Sequence, residues 1–296
     1  MHVAVVINPT SGARGRPEVA RRRAELAAAV LTAEGVQHAV QVTERAGHAY
    51  ELARQAVAEG ATLVFAWGGD GTVNEVGCAL AFGSTALGII PAGSGNGLAR
   101  ELHVPREPVQ ALKGALLAAE QVIDAGEIGG RLFFNAAGIG FDALIAARFN
   151  SRTHGRRGLW RYCTVAAHEL FTYEAREYTI AVNGETGHHR ALLIALANSR
   201  QYGNGMVIAS QAQLHDGALD LVVVEGRSPL AILWEARRLF MNTLPSAKGV
   251  IMKTAQHLTV CAEAPLLFHV DGEPVVGGRS LTARVHPGAL RIRRPA

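Results

Sequence analysis

Cysteine and lysine are scarce in this 296-residue chain, and long apolar runs are absent. The three cysteines, Cys78, Cys163 and Cys261, are far apart, odd in number and without CxxC spacing. That argues against both a disulfide framework and a thiolate zinc site, and it fits a reducing compartment. Lysine stands only at Lys113, Lys248 and Lys253, and no glycine-rich loop is followed by one, so a Walker A phosphate site is excluded. No apolar stretch reaches the ~18 to 20 residues that span a bilayer. The segment MHVAVVINPTSG runs straight into a strand pattern without a basic leader or cleavage site. A cytoplasmic protein, at most peripheral to membranes, is expected. Neither an internal repeat nor a low-complexity tract is apparent.

Hydrophobic residues make up 49% of the chain and charged residues 18%, enough apolar surface to offset the entropy of folding. The length exceeds what one core usually holds, so two domains are expected. A net charge of +4, almost all of its positive part arginine, admits nucleotides, lipid headgroups or nucleic acid as partners. No recognised module accompanies the charge, so nucleic acid is not expected.

Residues 1–123 alternate short apolar runs with helical segments. Val3 to Ile7 is a strand, Pro17 to Ala33 a helix stopped by Gly35, Val36 to Val42 a strand and Gly47 to Glu59 a helix. Thr62 to Trp67 is a second buried strand, Thr72 to Ala81 a helix, Ala86 to Ile90 a strand and Pro108 to Ala119 a helix. Apolar strands alternating with helices imply a parallel sheet covered on both faces. From about Val122 the texture changes to short strands separated by turn residues, among them Asn183-Gly184 as a hairpin signal. Helical segments at Leu159 to Phe171 and Pro229 to Asn242 interrupt them. The expected architecture is therefore α/β plus β: an α/β domain over 1–123 and a mainly antiparallel β domain over 124–296. The last segment, Ala289 to Arg293, could pair with either.

Three strands of the first domain run directly into loops of glycine and small polar residues: Asn8-Pro9-Thr10-Ser11-Gly12, Gly68-Gly69-Asp70-Gly71-Thr72, and Pro91-Ala92-Gly93-Ser94-Gly95-Asn96-Gly97. In a parallel sheet all carboxyl ends share one edge, so these loops converge whatever the strand order. Glycine allows close approach of a ligand, and consecutive amides at a helix N-terminus attract anions. A carboxylate at Asp70 would repel phosphate unless a divalent cation lay between them, so Asp70 is read as linked to magnesium directly or through water. Tight turns dictated by strand–helix geometry are the plain alternative for any one loop. A partial dinucleotide fingerprint at 93–97 is weak without GxGxxG after the first strand.

These motifs, in this order, resemble the diacylglycerol kinase catalytic-domain superfamily, which includes sphingosine kinases and bacterial lipid kinases. The resemblance covers nearly the whole chain. It rests on NPTSG at 8–12, GGDGTVNEV at 68–76, PAGSGNGLAR at 91–100, NAAGIGFDA at 135–143, HDGALDLVVV at 215–224 and Asp271-Gly272-Glu273. It implies a phosphofructokinase-like three-layer α/β domain, a β-sandwich-like second domain, and ATP with Mg2+ bound in the cleft between them. By the same resemblance Asn8, Ser11, Thr43, Gly68 to Thr72, Asn74, Glu75 and Ser94 are nucleotide-side residues, with Asp70 also catalytic. Glu273 resembles the family's general base, which takes the proton of a primary lipid hydroxyl; alone, Asp271-Gly272-Glu273-Pro274 would read as a hairpin turn with solvated acids. Asp216, with the backbone carbonyls of Leu219 and Leu221, resembles a structural magnesium position. The chain departs from that pattern at His215, where some relatives carry an acid and histidine is a poor magnesium ligand. It departs again at Gly97, where many bacterial relatives have aspartate after Asn96.

The expected activity is an ATP-dependent lipid kinase acting on diacylglycerol, a related glycerolipid or a sphingoid base at the membrane surface, and a homodimer is admissible. A nucleotide kinase acting on NAD is the alternative suggested by GGDGT alone, and a lipid-binding relative without turnover is another. The stretch Ser151 to Tyr162 mixes arginines with aromatics and is open to three readings: membrane contact, ATP phosphate contact, or a solvated loop. Arg21-Arg22-Arg23 reads as a solvated helix face. His188-His189 lacks a third ligand at metal spacing and is assigned no site. The helix from Pro229 reads as core or as a wall for an alkyl pocket.

Overall fold

The computed structural model describes residues 1–12, 17–151 and 159–295. The chain divides into two compact units, Met1–Ile123 with Gly288–Ala296, and Asp124–Pro287.

The first unit contains β1 (His2–Ile7), α1 (Pro17–Ala33), β2 (Gln37–Val42), α2 (His48–Ala58), β3 (Leu63–Gly68), α3 (Asp70–Leu80), β4 (Ala86–Pro91), α4 (Gly97–Glu101) and α5 (Pro108–Leu117). The strands run parallel in the order β2-β1-β3-β4, with Ile7 beside both Val42 and Trp67, and Trp67 beside Ile90. Alternation sorts the side chains. Val3, Val5, Ile7, Leu63, Phe65 and Trp67 share one core with Ala27 and Leu31 of α1 and Ala111 and Leu112 of α5. The intervening Ala4, Val6, Val64 and Ala66 are equally buried on the other face, where α2 and α3 pack together. The result is a three-layer α/β unit. Burial on both faces explains why these strands carry no polar alternation. In α2 the buried residues Ala49, Leu52, Ala53 and Ala56 recur at helical spacing.

The second unit follows β5 (Glu120–Ile128), which begins in the first, and continues through β6 (Arg131–Phe133), β7 (Ala136–Gly140), α6 (Phe141–Ser151), α7 (Leu159–Leu170), β8 (Arg176–Val182) and β9 (Glu185–Ala197). Next come β10 (Gln201–Gly203), β11 (Met206–Val207), β12 (Leu219–Glu225), α8 (Pro229–Ala236), α9 (Arg238–Met241), β13 (Val250–Ala255), β14 (His257–Cys261), β15 (Leu267–Val270), β16 (Glu273–Val276) and β17 (Ser280–Arg293). The strands of this unit pair antiparallel in the order β16-β15-β7-β9-β8-β14-β17, with β12 between β9 and β13. Phe133, Ile139, Ile194, Leu221, Val260 and Phe268 are among the side chains of its main core. The Asn183-Gly184 hairpin joins β8 to β9 with both turn residues at positive φ, 51° and 86°, the geometry that Asn-Gly favours.

Several elements differ from the sequence expectation for identifiable reasons. Ala136-Ala137-Gly138-Ile139-Gly140 has little strand propensity, yet it is a buried strand because β9 and β15 supply ladder partners on both sides. The helix after GGDGT begins at Asp70 rather than Thr72. The expected single helix from Pro229 to Asn242 is two pieces, α8 and α9. The last segment, Ala289 to Arg293, is the end of one long strand, β17, and within the first unit its Ile292 lies beside Leu87 of β4. The centre of the basic, aromatic stretch expected between Ser151 and Tyr162 lies outside the described residues.

Candidate active site

In the first unit the three loops do converge, and their own side chains knit them together. Asn8 Nδ2 donates to Thr72 Oγ1 at 2.9 Å, while Asn8 Oδ1 accepts from the amide and hydroxyl of Thr10 at 2.9 and 2.8 Å. The amide of Gly69 donates to Ser11 Oγ at 3.2 Å. Glycine is required where the loops touch: a Cβ on Gly12, which has φ of +67°, would stand 2.2 Å from the carbonyl oxygen of Ala92. A Cβ on Gly93 would stand 2.6 Å from Gly69 Cα, so these two backbones approach more closely than any side chain permits.

Asp70 accepts the amide of Asn96 on Oδ2 at 2.9 Å and that of Gly97 on Oδ1 at 2.7 Å. The carboxylate thereby ties the second loop to the start of α4, where orphan amides need an acceptor. Asn96 closes the third loop on itself, accepting from Gly93 N at 2.9 Å and donating to Gly93 O at 2.8 Å, with its own backbone left-handed at φ 51°. Glu75 does the same service for the loop after β2. Its two oxygens accept the amides of Gly47 and Ala49 at 2.9 and 3.0 Å and so cap α2. Thr43, buried at the end of β2, donates its amide to Ile7 O at 2.8 Å.

Arg23 departs from the expected solvated face. Its guanidinium donates to the carbonyls of Asn8 at 2.8 Å and Ser11 at 2.7 Å and lies 5.8 Å from the centre of the Trp67 ring. Burial lowers its pKa, and it serves as a cationic prop beneath the first loop. Arg21, by contrast, pairs with Glu25 at the surface. A cavity of about 470 Å³ adjoins this region, lined by Gly12, Arg22, Arg23, Trp67 and Ala92.

In the second unit Asp271-Gly272 is the hairpin turn between β15 and β16, with φ of 47° and 86° and Val270 opposite Glu273. Its first acid is not solvated. Asp271 Oδ2 accepts the amide of Phe134 at 2.9 Å, and Oδ1 accepts those of Asn135 and Ala136 at 3.0 Å each. The Asp271 amide in turn donates to Ala136 O at 2.9 Å. Four bonds therefore fix the turn onto the start of the NAAGIG segment, and Glu273 is the exposed acid carried on that turn.

Behind it lies a buried polar cluster. His269 Nε2 is 2.5 Å from Asp142 Oδ2, Tyr202 donates its hydroxyl to the same oxygen, and Tyr162 reaches Asp142 Oδ1 at 3.5 Å. Burial acts to raise the Asp142 carboxyl, but the charge and hydrogen bond of His269, with the two tyrosine hydroxyls, outweigh it and hold the group low. Burial acts oppositely on His269, and Asp142 above all, then Asp271 and Glu273, raise it. Burial first, then the Asp142 charge, keeps Tyr202 protonated as a donor. The amide of Gly272 lies 3.3 Å from His269 Nδ1, so the cluster adjoins the turn that bears Glu273. Asp142 and Tyr202 also line a mainly apolar cavity of about 280 Å³, walled by Ile145, Leu170, Leu193 and Leu239, with Glu225, Arg227, Glu235 and Lys248 also in its lining.

Residues 2–128 match the diacylglycerol kinase catalytic domain, and residues 135–294 match the YegS C-terminal NAD kinase beta sandwich-like domain. A Pseudomonas aeruginosa protein named "Probable lipid kinase YegS-like" is 32% identical over 265 residues, 88% of this chain and 86% of that one. The protein of the same name from Chromohalobacter salexigens is 32% identical over 261 residues, 87% of this chain and 84% of that one. The chain belongs to the YegS-like diacylglycerol kinase family. It is a kinase with an α/β domain followed by a β-sandwich-like domain. A crystal structure of a diacylglycerol kinase from Bacillus anthracis has the same fold, with a TM-score of 0.71 over 99% of this chain and 96% of that one at 20% identity.

Within this kinase the residues expected on the nucleotide side, Asn8, Ser11, Thr43, Gly68 to Thr72, Asn74, Glu75 and Ser94, all lie at or next to the carboxyl edge of the first unit's sheet. Glu273 belongs to the second unit, as do Asp216, Leu219 and Leu221. Asp216 is exposed and accepts the amide of Ala218 at 3.1 Å, and Leu219 and Leu221 sit in β12 opposite Ala255 and Lys253 of β13. Burial first, then the charge of Asp216, raises the pKa of Asp220, so two acids lie within electrostatic reach. Among the described residues no group of three or more His, Cys, Asp and Glu could hold a metal ion. Sequence reasoning did not single out Arg23, Asp142, Tyr202, His269 or the anchoring role of Asp271. Only Asp142 and Asp271 carried a signal, by lying inside the motifs at 135–143 and 271–273.

Proposed function

We propose that this kinase transfers the γ-phosphate of ATP to a primary hydroxyl of a lipid, such as diacylglycerol, a related glycerolipid or a sphingoid base. The observation that carries the reading is the apolar cavity of about 280 Å³ that includes Asp142 and Tyr202 in its lining, within the unit that bears Glu273. Such a cavity accepts an alkyl chain and presents a few polar groups to a headgroup. A substrate as polar as a dinucleotide would leave its apolar walls unmatched.

In this reading the amides and glycines of the three loops hold the phosphates, with Asn8, Ser11, Thr43, Asn74 and Ser94 as further nucleotide contacts. Arg23, Glu75 and Asn96 keep those loops in place. Each oxygen of Asp70 accepts one amide, and its remaining lone pairs would meet a magnesium ion directly or through water. Bound magnesium would neutralise charge on the transferring phosphate. Asp216 and Asp220, with the carbonyls of Leu219 and Leu221, are oxygen donors of the kind magnesium takes and would hold a second, structural ion. Glu273 accepts the hydroxyl proton as the bond to phosphorus forms, a contribution of about 10²- to 10⁴-fold. Catalysis otherwise rests on positioning and electrostatics.

The test is incubation with γ-labelled ATP, Mg2+ and a panel of glycerolipids and sphingoid bases in mixed micelles, with NAD in a parallel reaction. Label in a lipid product is expected. Label in NAD with none in any lipid would overturn the proposal.

A further inference from the structure

The α8–α9 segment presents two faces of different use. Ile232, Leu233, Glu235, Ala236, Leu239 and Phe240 line the apolar cavity. Leu230, Trp234, Arg237 and Met241 do not line it. They recur at spacings of four, three and four residues, which places them along one outward stripe. This stripe is unusually apolar for a surface: Leu230 is 72%, Trp234 65% and Met241 62% exposed. No residue of α8 is fully buried; Ile232 packs partly against a core cluster, whereas Leu230 and Trp234 face outward.

We infer that this stripe docks the kinase on an anionic lipid bilayer, a deepening of the lipid-kinase reading on which it rests. Three features favour a bilayer over another protein. Charge is the first. Between Gly226 and Gly249 the chain carries Arg227, Arg237, Arg238 and Lys248 against Glu235 alone, a balance of four minus one. Arg238 is taken up by Glu235 at 2.5 Å, whereas Arg227, Arg237 and Lys248 are exposed. Basic side chains at an anionic membrane contribute about 1 kcal/mol each.

The second feature is the pairing of Arg237 with Trp234, the guanidinium lying 3.6 Å from the ring centre. A tryptophan with a cation against its face suits the boundary where acyl chains give way to headgroups. Continuity with the cavity is the third. Leu233 and Phe240 line it and are themselves 39% and 52% exposed, so the cavity reaches the surface on this same helical segment. A lipid leaving a bilayer seated on the stripe would enter the cavity with little of its chain passing through water.

The experiment is flotation of the full-length protein with phosphatidylcholine vesicles, with and without phosphatidylglycerol. It is accompanied by light scattering for oligomeric state and by turnover on a short-chain lipid presented as a monomer. Wild-type protein is expected to bind the phosphatidylglycerol vesicles. Combined Leu230→Gln and Trp234→Ala should weaken that binding about 10-fold or more, the loss of at least one large apolar anchor. Arg237→Glu should weaken it only where phosphatidylglycerol is present. Turnover on the monomeric lipid should stay unchanged in all of them. Equal vesicle binding by wild type and stripe variants overturns the inference. So does a change from dimer to monomer in the variants with vesicle binding intact, which would make the stripe a subunit interface. Stripe-dependent vesicle binding in a protein that phosphorylates no lipid would uphold the docking surface and remove only the kinase reading beneath it.

Discussion

Asp70 in the first unit and Asp271 in the second perform the same operation on different backbones. Each sits in a short glycine motif, GGDGT or DGE, and each spends its carboxylate on main-chain amides of a second motif: Asn96 and Gly97 for Asp70, Phe134, Asn135 and Ala136 for Asp271. What differs is the result. In the first unit the anchoring brings backbone to backbone, as the contact of Gly69 with Gly93 shows, and leaves a surface of amides suited to phosphate. In the second it fixes a hairpin that carries one exposed acid, with the buried Asp142–His269 pair behind it. A motif acid is therefore not by itself a reactive group; in both units it is first a fastening.

The comparison is sharpened by removing the fastenings in turn. The largest loss of stability is expected for Asp142→Ala, which leaves the buried His269 without its carboxylate partner; about 3–5 kcal/mol is the scale for breaking a buried pair, read as the shift of a urea midpoint. Asp271→Ala leaves three amides without their acceptor and should cost about 3 kcal/mol, with turnover falling while ATP affinity is kept. Asp70→Ala frees two amides and should cost about 2 kcal/mol, but with ATP affinity falling as well, measured by calorimetry. If Asp271→Ala rather than Asp70→Ala weakened ATP binding, the division of labour between the units would be wrong. Glu75→Ala removes a helix cap and should cost about 1 kcal/mol.

The smallest effect is a pH dependence. The folded Asp142 carboxyl lies below its unfolded value, so its contribution is present above the ordinary carboxylate range and is lost as pH falls through the folded value. The folded His269 lies above its unfolded value. Its contribution is full below about pH 6.5, the unfolded imidazole value, and is lost as pH rises through the folded one. The Tm difference between wild type and His269→Gln should thus be widest between about pH 4 and about pH 6.5 and shrink at higher pH. A difference independent of pH would mean the pair is not ionised.

The parallel sheet was legible because its strands are fully apolar and its helices amphipathic, and the three loops because glycine clusters follow strands. Ala136–Gly140 was not, since small residues carry no strand signal and the ladder comes from partners distant in sequence. Arg23 was hidden inside a run of three arginines, of which only the fold decides the one that turns inward. Glu273 could be singled out only through resemblance. The reason its turn is held so firmly, the reach of Asp271 across to residues 134–136, is a contact over more than a hundred residues of chain that no local pattern announces.

If the first unit holds the nucleotide while Glu273 activates the acceptor hydroxyl, one variant separates the two roles. That variant is Glu273→Gln, assayed for ATP affinity and for lipid phosphorylation in one preparation. ATP binding equal to wild type with turnover reduced about 10²- to 10⁴-fold is the predicted result. Turnover within about twofold of wild type, far short of that range, would contradict it.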